Sequence, residues 1–278
     1  MVREEFVLMD NRPIGVFDSG LGGLTTVKKL AEYLPGEDII YLGDTGRVPY
    51  GSRSEETITK YAKQDAAFLV RHDIKAMIIA CNTVSSIAYN TLKNIYDKMP
   101  IFEVITAPAE AAVSSTKNNK IGIIGTAATI RSGAYEKKLN EVSSELNVLA
   151  VACPLFVPMV EYDRTDENDI AALTIAGDYL ASLCEFGVDT LILGCTHYPL
   201  LRGVISKIMG QDVTLIDSGA QTAKRAAEVL RVKNMLSSAQ SGGSMKYFIT
   251  DSVSDFSRLA SRFLCSPVDG LVEQISLD

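Results

Sequence analysis

The sequence has no surplus of basic charge, few histidines and no apolar run of membrane-spanning length, and each shortage removes a class of function. Its 27 Lys and Arg stand against 34 Asp and Glu, a net charge of -7. No basic stripe is available to replace phosphate counterions, which argues against a nucleic-acid surface. No segment approaches the roughly 20 apolar residues that cross a bilayer. Residues 1–15 carry charges throughout and lack a signal-peptide core, so a cytoplasmic protein is expected. Histidine occurs twice, at His72 and His197, and cysteine five times, at Cys81, Cys153, Cys184, Cys195 and Cys265. Neither C-x-x-C nor H-x-x-x-H is present, so the spacing signals of a zinc site are missing. An odd set of scattered cysteines fits reduced thiols better than a disulfide framework.

What is present is the composition of a globular protein, 47% hydrophobic and 22% charged, over 278 residues. That length favours two domains, each with its own core. Short β-branched or apolar runs alternate with helical patterns: Ile14–Phe17, Ile39–Leu42, Met77–Ala80, Ile101–Ile105, Ile121–Ile124, Val148–Ala152, Thr190–Leu193 and Val213–Ile216. Continuous apolar strands separated by helices predict an α/β fold with doubly wound parallel sheets, because helices must cover both faces of each sheet. Ser54 followed by Glu55 and Glu56 reads as a helix start, and Pro35-Gly36 as a helix stop. The polar stretch 237–244 reads as a surface loop.

An internal repeat runs through this rhythm. Ile14–Gly20 matches Ile121–Ala127 at an offset of 107 residues, and Lys28-Lys29-Leu30 matches Lys137-Lys138-Leu139 at 109. Val48-Pro49 matches Val157-Pro158 at 109, and Ile78–Thr83 resembles Leu191–Thr196 so that Cys81 pairs with Cys195 at 114. Ordered matches of this kind predict two pseudo-symmetric α/β units facing each other across a central cleft.

In each unit the paired cysteine follows an apolar strand and precedes a polar residue opening a helical pattern, the edge where doubly wound sheets bind ligands. A helix N-terminus beside a thiol favours thiolate, the form that acts as base or nucleophile. A single cysteine so placed is ordinarily a small core residue; the repeated placement turns the reading toward chemistry. Cys153, Cys184 and Cys265 lack it and read as structural, Cys184 as a packed thiol within a helix and Cys153 as the counterpart of Asp44. His197, two residues after Cys195, is close enough to polarise that thiol, whereas His72 sits at a charged helix end and reads as solvated. Zinc held by Cys81, Cys195 and His197 has suitable ligand types without the spacing. Asp18–Gly23 opens a helix after the first strand and suits a small anion. It matches neither G-x-G-x-x-G, since Thr25 stands at the third glycine, nor the P-loop, since Leu21 stands at the lysine. Glu161 is a lone carboxylate after the loop of the second unit.

Taken together, Phe17–Leu24, Val48-Pro49-Tyr50-Gly51, Ala80-Cys81-Asn82-Thr83, Pro154–Glu161 and Gly194–Pro199 resemble the glutamate racemase family, from about residue 14 to Ser218-Gly219. The resemblance implies two α/β domains around a cleft, 107–216 inserted into 1–106 and 217–278. It implies interconversion of L- and D-glutamate without pyridoxal phosphate or any other cofactor, supplying D-glutamate for peptidoglycan, commonly as a homodimer. Cys81 and Cys195 become the catalytic thiols, with Asp18 supporting Cys81, and His197 and Glu161 supporting Cys195. Substrate contacts fall at Asp18, Ser19, Tyr50, Gly51, Asn82, Thr83, Thr126, Thr196 and His197. Such chemistry needs a base on one face of the α-carbon and a proton donor on the other, which two thiols supply with exchangeable roles. By the same resemblance Cys81 takes the proton of the D form and Cys195 that of the L form. An acidic amino-acid racemase with a shorter substrate, or a thiol redox or ligand-binding protein in the same cleft, is the competing expectation.

Overall fold

The computed structural model describes residues 9–268 and 271–277. Its elements are β1 (Ile14–Asp18), α1 (Leu24–Tyr33), β2 (Ile39–Gly43), α2 (Glu55–Val70), β3 (Ala76–Ile79), α3 (Asn82–Ile95) and β4 (Ile101–Glu103). There follow α4 (Thr106–Ser115), β5 (Lys120–Gly125), α5 (Ala127–Arg131), α6 (Ala134–Val142), β6 (Asn147–Ala152), α7 (Phe156–Glu161) and α8 (Ile170–Phe186). The chain ends with β7 (Thr190–Gly194), α9 (Arg202–Met209), β8 (Thr214–Asp217), α10 (Ser218–Val232), β9 (Met245–Ile249), α11 (Val253–Leu264) and β10 (Leu271–Gln274).

The strands form two wholly parallel sheets, ordered β10-β9-β2-β1-β3-β4 and β6-β5-β7-β8. Removing the two edge strands from the first leaves the same order in both, so the repeat is a repeat of topology: β1 answers to β5, β2 to β6, β3 to β7 and β4 to β8. Strands β1, β2, β3 and β7 are buried along their whole length, as apolar runs covered on both faces must be. Leu30 on α1 and Leu139 on α6, the apolar ends of the matched Lys-Lys-Leu triplets, are fully buried. The match of Val48-Pro49 with Val157-Pro158 stops at sequence. The first pair lies in an irregular segment with a cis peptide between them, whereas the second is inside α7.

Ser54 caps α2 by accepting from the Thr57 N–H at 3.3 Å, with Glu55 and Glu56 in the first turn, and α1 ends just before Pro35. Strand β4 is shorter than its apolar run. The Glu103 carboxylate accepts the N–H groups of Ile105 and Thr106, turning the chain into α4. The edge strands β9 and β10 and helix α11 lie beyond the strands read from sequence. They return the chain to the first sheet through the pairing of β9 with β2. Residues 237–244 form an irregular connection, tied by the Ser237 N–H to Glu37 at 2.7 Å and by Ser244 to Asp38. The largest apolar cluster runs through both sheets, including Val16, Ile78, Leu191 and Leu193, while a second holds Phe17, Ile40 and Leu42 of the first sheet and a third Ile121, Ile123 and Ile192 of the second. His72 is half-buried instead of solvated: its ring lies 4.7 Å from Phe68 and 4.9 Å from Phe248, where the end of α2 meets β9.

Candidate active site

In a sheet ordered 2-1-3-4 the chain changes side between its first and third strands, and ligands bind at the carboxyl ends of those strands. Asp18 closes β1 and Cys81 follows β3; Thr126 follows β5 and Cys195 follows β7. Four of the residues marked in sequence thus stand at the two topological switch points. The placement of the thiols is equivalent but not identical. Cys81 is the N-cap residue of α3, whereas Cys195 is followed by a turn and a short 3-10 segment before α9. Cys81 and Cys195 each retain 6% exposure, unlike Cys153, which has none. Cys184 is exposed, a correction to its reading as a packed thiol: its helix faces solvent at that position, and the sulfur lies 3.8 Å from the Ile208 carbonyl and 3.7 Å from the Met209 sulfur.

Around Cys81 the groups come from the first sheet. The thiol donates to Ser19 Oγ at 3.4 Å. Burial pushes the thiol up to about 12, the neighbouring Asp18 carboxylate adds to the rise, and the Ser19 hydrogen bond opposes it. The helix N-terminus was expected to favour thiolate here; desolvation of the sulfur outweighs the N–H of Val84, so the proton stays on. Asp18 is 1% exposed and is itself raised, by burial first, against the His197 charge and the N–H groups of Gly23, Gly20 and Ser19. One of its oxygens accepts from Gly20 at 3.0 Å; the other, Oδ1, meets no partner among the described residues.

Around Cys195 the polar groups come from the second sheet. His197 Nε2 lies 3.2 Å from Glu161 Oε1, and burial, which would lower its affinity for a proton, is outweighed by bonds to the Cys195 sulfur and to Glu161. The imidazole is pushed up to about 10 and is a buried cation at neutral pH, with Phe263 edge-on at 5.2 Å. A raised folded-state pKa contributes stability that is complete below the unfolded value and lost as pH climbs through the folded one. The excess stability of the wild type over His197→Gln is therefore expected to be full below pH 6.5 and gone above pH 10, read by urea unfolding across that window. A constant difference would show that the ring is neutral.

The two halves interlock through the predicted ligand groups. Thr83 Oγ1 is 3.0 Å from Thr126 Oγ1. Beside it, Asn82 donates to Ser218 Oγ at the start of α10, at 3.3 Å. The Tyr135 hydroxyl, unmarked in sequence, stands 2.6 Å from Asn82 Oδ1 and 2.7 Å from the Val104 carbonyl, and so reaches that amide across the seam. Thr25 Oγ1 is 2.9 Å from the Gly22 carbonyl and 3.3 Å from that of Thr196. Gly51 abuts Thr126, where an added Cβ would lie 3.1 Å from the threonine Cβ. Tyr50 is 2% exposed and its phenol is bonded to Asp44. Among the described residues no three His, Cys, Asp or Glu side chains converge as metal ligands would.

Gly22 packs directly against Thr196 and His197 of the second half. A Cβ there would stand 2.0 Å from Thr196 Oγ1 and 2.6 Å from His197 Nδ1. Gly22→Ala is expected to cost about 1–3 kcal/mol by overpacking and, by displacing reacting groups about 1 Å, on the order of 10²-fold in kcat/KM. Unaltered kinetics would mean that Thr196 and His197 lie outside the reacting geometry.

Paired thiols at matching strand ends, each with its own polar partners, define the class. The chain belongs to the Asp/Glu/hydantoin racemase family, whose model matches residues 14–226, and is an amino-acid racemase. Within that family it stands with the glutamate racemases. That of Geobacter metallireducens is 46% identical over 267 residues, covering 96% of this chain and 97% of that protein. Among solved structures, a glutamate racemase isoform of Bacillus anthracis superposes with a TM-score of 0.91 at 38% identity, over 96% of this chain and 98% of that one. The Francisella tularensis glutamate racemase, solved with D-glutamate, gives 0.90 at 40% identity, over 97% and 99%.

Proposed function

We propose that this enzyme interconverts L- and D-glutamate without a cofactor, by proton transfer between the α-carbon and two cysteines. The observation that carries the reading is the recurrence of a cysteine at the carboxyl ends of β3 and β7, each with a separate titratable neighbour. One sulfur as thiolate takes the α-proton, and the electron pair of the broken C–H bond spreads into the substrate carboxylate. The other thiol delivers its proton to the opposite face, and the pair is left with roles exchanged. Asn82, Thr83, Thr126 and Thr196 supply donors for the carboxylate as its charge grows, worth a few kcal/mol where well aimed. Ser19 and the Tyr50-Gly51 backbone complete the enclosure.

The two environments divide the work. Cys81, held protonated by burial and Asp18, is the donor, and the sulfur bonded to the His197 cation is the acceptor, an arrangement set to receive the L form. For the D form the proton count reverses, with the free Asp18 oxygen beside Cys81 and Glu161 behind His197. The working halves in this reading are 1–106 with 217–278 and the inserted 107–216, and the enzyme is a cytoplasmic homodimer serving peptidoglycan synthesis. No described helix is long and apolar enough to cross a membrane.

The test follows the circular dichroism of pure L-glutamate, L-aspartate and L-alanine with purified protein. Decay of the L-glutamate signal, unchanged by EDTA or carbonyl reagents, is the expected result. Turnover of aspartate in preference to glutamate would reassign the substrate, and a Cys81–Cys195 disulfide without turnover would replace the reading by a redox one.

A further inference from the structure

The loop after β2 carries a buried polar cluster that the reaction does not use. Asp44 and Asp65 are both fully buried, the first after β2 and the second on α2, and Arg47 is the cation that bridges them. Arg47 donates through Nε to Asp44 Oδ2 at 2.6 Å, through Nη1 to Gln64 Oε1 at 2.6 Å and through Nη2 to Asp65 Oδ1 at 3.0 Å, and its guanidinium lies 4.1 Å above the Tyr61 ring. The Tyr50 hydroxyl oxygen is bonded to Asp44 Oδ2 and stands 3.2 Å from Asp65 Oδ2. Thr250, after β9, donates to Asp44 Oδ1 at 2.9 Å and accepts from the Gly46 N–H at 2.8 Å.

Hydrogens and charges can be counted here. A phenol has a single O–H, so it donates to one carboxylate and not to two. Two buried carboxylates with one guanidinium leave a net negative charge out of water, which is strongly unfavourable unless a proton neutralises it. Both counts close if one carboxyl is protonated. Asp44 already accepts from Arg47, Tyr50 and Thr250, the pattern of an ion; Asp65 takes a single Arg47 bond and faces the phenol oxygen. We propose that Asp65 is a neutral carboxylic acid donating to Tyr50, and that with the Asp44–Arg47 ion pair it positions the Tyr50-Gly51 turn against Thr126 of the second sheet. Its pKa moves the same way, raised well above the usual carboxylate range by burial first and by the Asp44 charge second, with Arg47 opposing. The consequence for ligand affinity rests on the proposed glutamate site being bordered by this turn.

Two equally buried aspartates should then respond differently to the same change. Asparagine copies a neutral acid at position 65, its amide oxygen accepting from Arg47 and its amide N–H donating to Tyr50. At position 44 it removes the only anion Arg47 has. Asp65→Asn is expected to leave KM for glutamate within about twofold, while Asp65→Ala and Asp44→Asn each raise it about tenfold or more, with kcat falling less. Asp65→Asn as damaging as Asp65→Ala overturns the assignment. Infrared difference spectra of the wild type with isotope-labelled aspartate, at neutral pH and without substrate, provide a readout independent of turnover. A protonated-carboxyl C=O band that disappears in Asp65→Asn supports the proposal, and its absence from the wild type overturns it even if the enzyme racemises glutamate as proposed.

Discussion

Cys81→Ser and Cys195→Ser are each expected to lower racemisation by about 10³-fold or more, since general acid–base transfer contributes about 10²–10⁴-fold and each variant loses one partner of the transfer. A serine hydroxyl fits the space of a thiol but is a far weaker acid, so it neither holds an anion at neutral pH nor releases its proton readily. Folding should survive, because both positions are small side chains at strand ends, 6% exposed. Urea unfolding within about 1 kcal/mol of the wild type would separate lost chemistry from lost structure. The variants should also differ from each other. In deuterium oxide the enzyme lacking one base can still exchange the α-proton of the enantiomer facing the remaining thiol, which proton NMR follows. By the division of roles proposed above, Cys81→Ser retains exchange on L-glutamate and Cys195→Ser on D-glutamate. Full racemisation by either variant would remove the two-base scheme; exchange in the opposite sense would invert the assignment of faces.

Lys75→Met has a large effect of another kind. Lys75 is fully buried at the start of β3, at the opposite edge of the sheet from Cys81, where its ammonium meets the Glu37 carboxylate and donates to the Asp10 carbonyl at 2.6 Å. Removing one partner leaves a buried carboxylate uncompensated, and the expected loss is about 3–5 kcal/mol in urea unfolding. The kcat of the protein that remains folded should be unchanged, because no group of the cleft is touched. Lys75→Met with Glu37→Leu should recover part of the loss but not all of it, since Glu37 also accepts the Ser237 N–H at 2.7 Å and that donor would lose its partner. A single-variant loss below about 1 kcal/mol would mean that the pair is solvated in solution.

Much of the architecture was legible because its signals are local. The apolar runs of β1, β2, β3, β5 and β7 and the cysteines at the ends of β3 and β7 are contiguous in the chain, and duplication wrote them twice. Helix α11 also carried a signal, with Phe256, Leu259, Ala260, Phe263 and Leu264 at helical spacing, as did the aromatic run Tyr247-Phe248-Ile249 of β9. Strand β10 carried little, since Leu271, Val272, Glu273 and Gln274 form an edge with no continuous apolar face. The helical pattern of α2 held a further clue in Asp65, which shares the buried stripe of Ile58, Ala62 and Leu69.

Residue order alone sets the doubly wound sheets, their duplication and the sulfur at each strand end, because periodicity and nearest neighbours are properties of the chain. The charge states of those groups belong to the folded molecule. Cys81 keeps its proton because its sulfur is out of water beside Asp18, and His197 holds one because Cys195 and Glu161 surround it. Tyr135 reaches Asn82 from 53 residues away, and the closeness of Gly22 to Thr196 joins segments still farther apart. Desolvation and contact act through space, and no pattern along the chain encodes which distant residues will exclude water from one another.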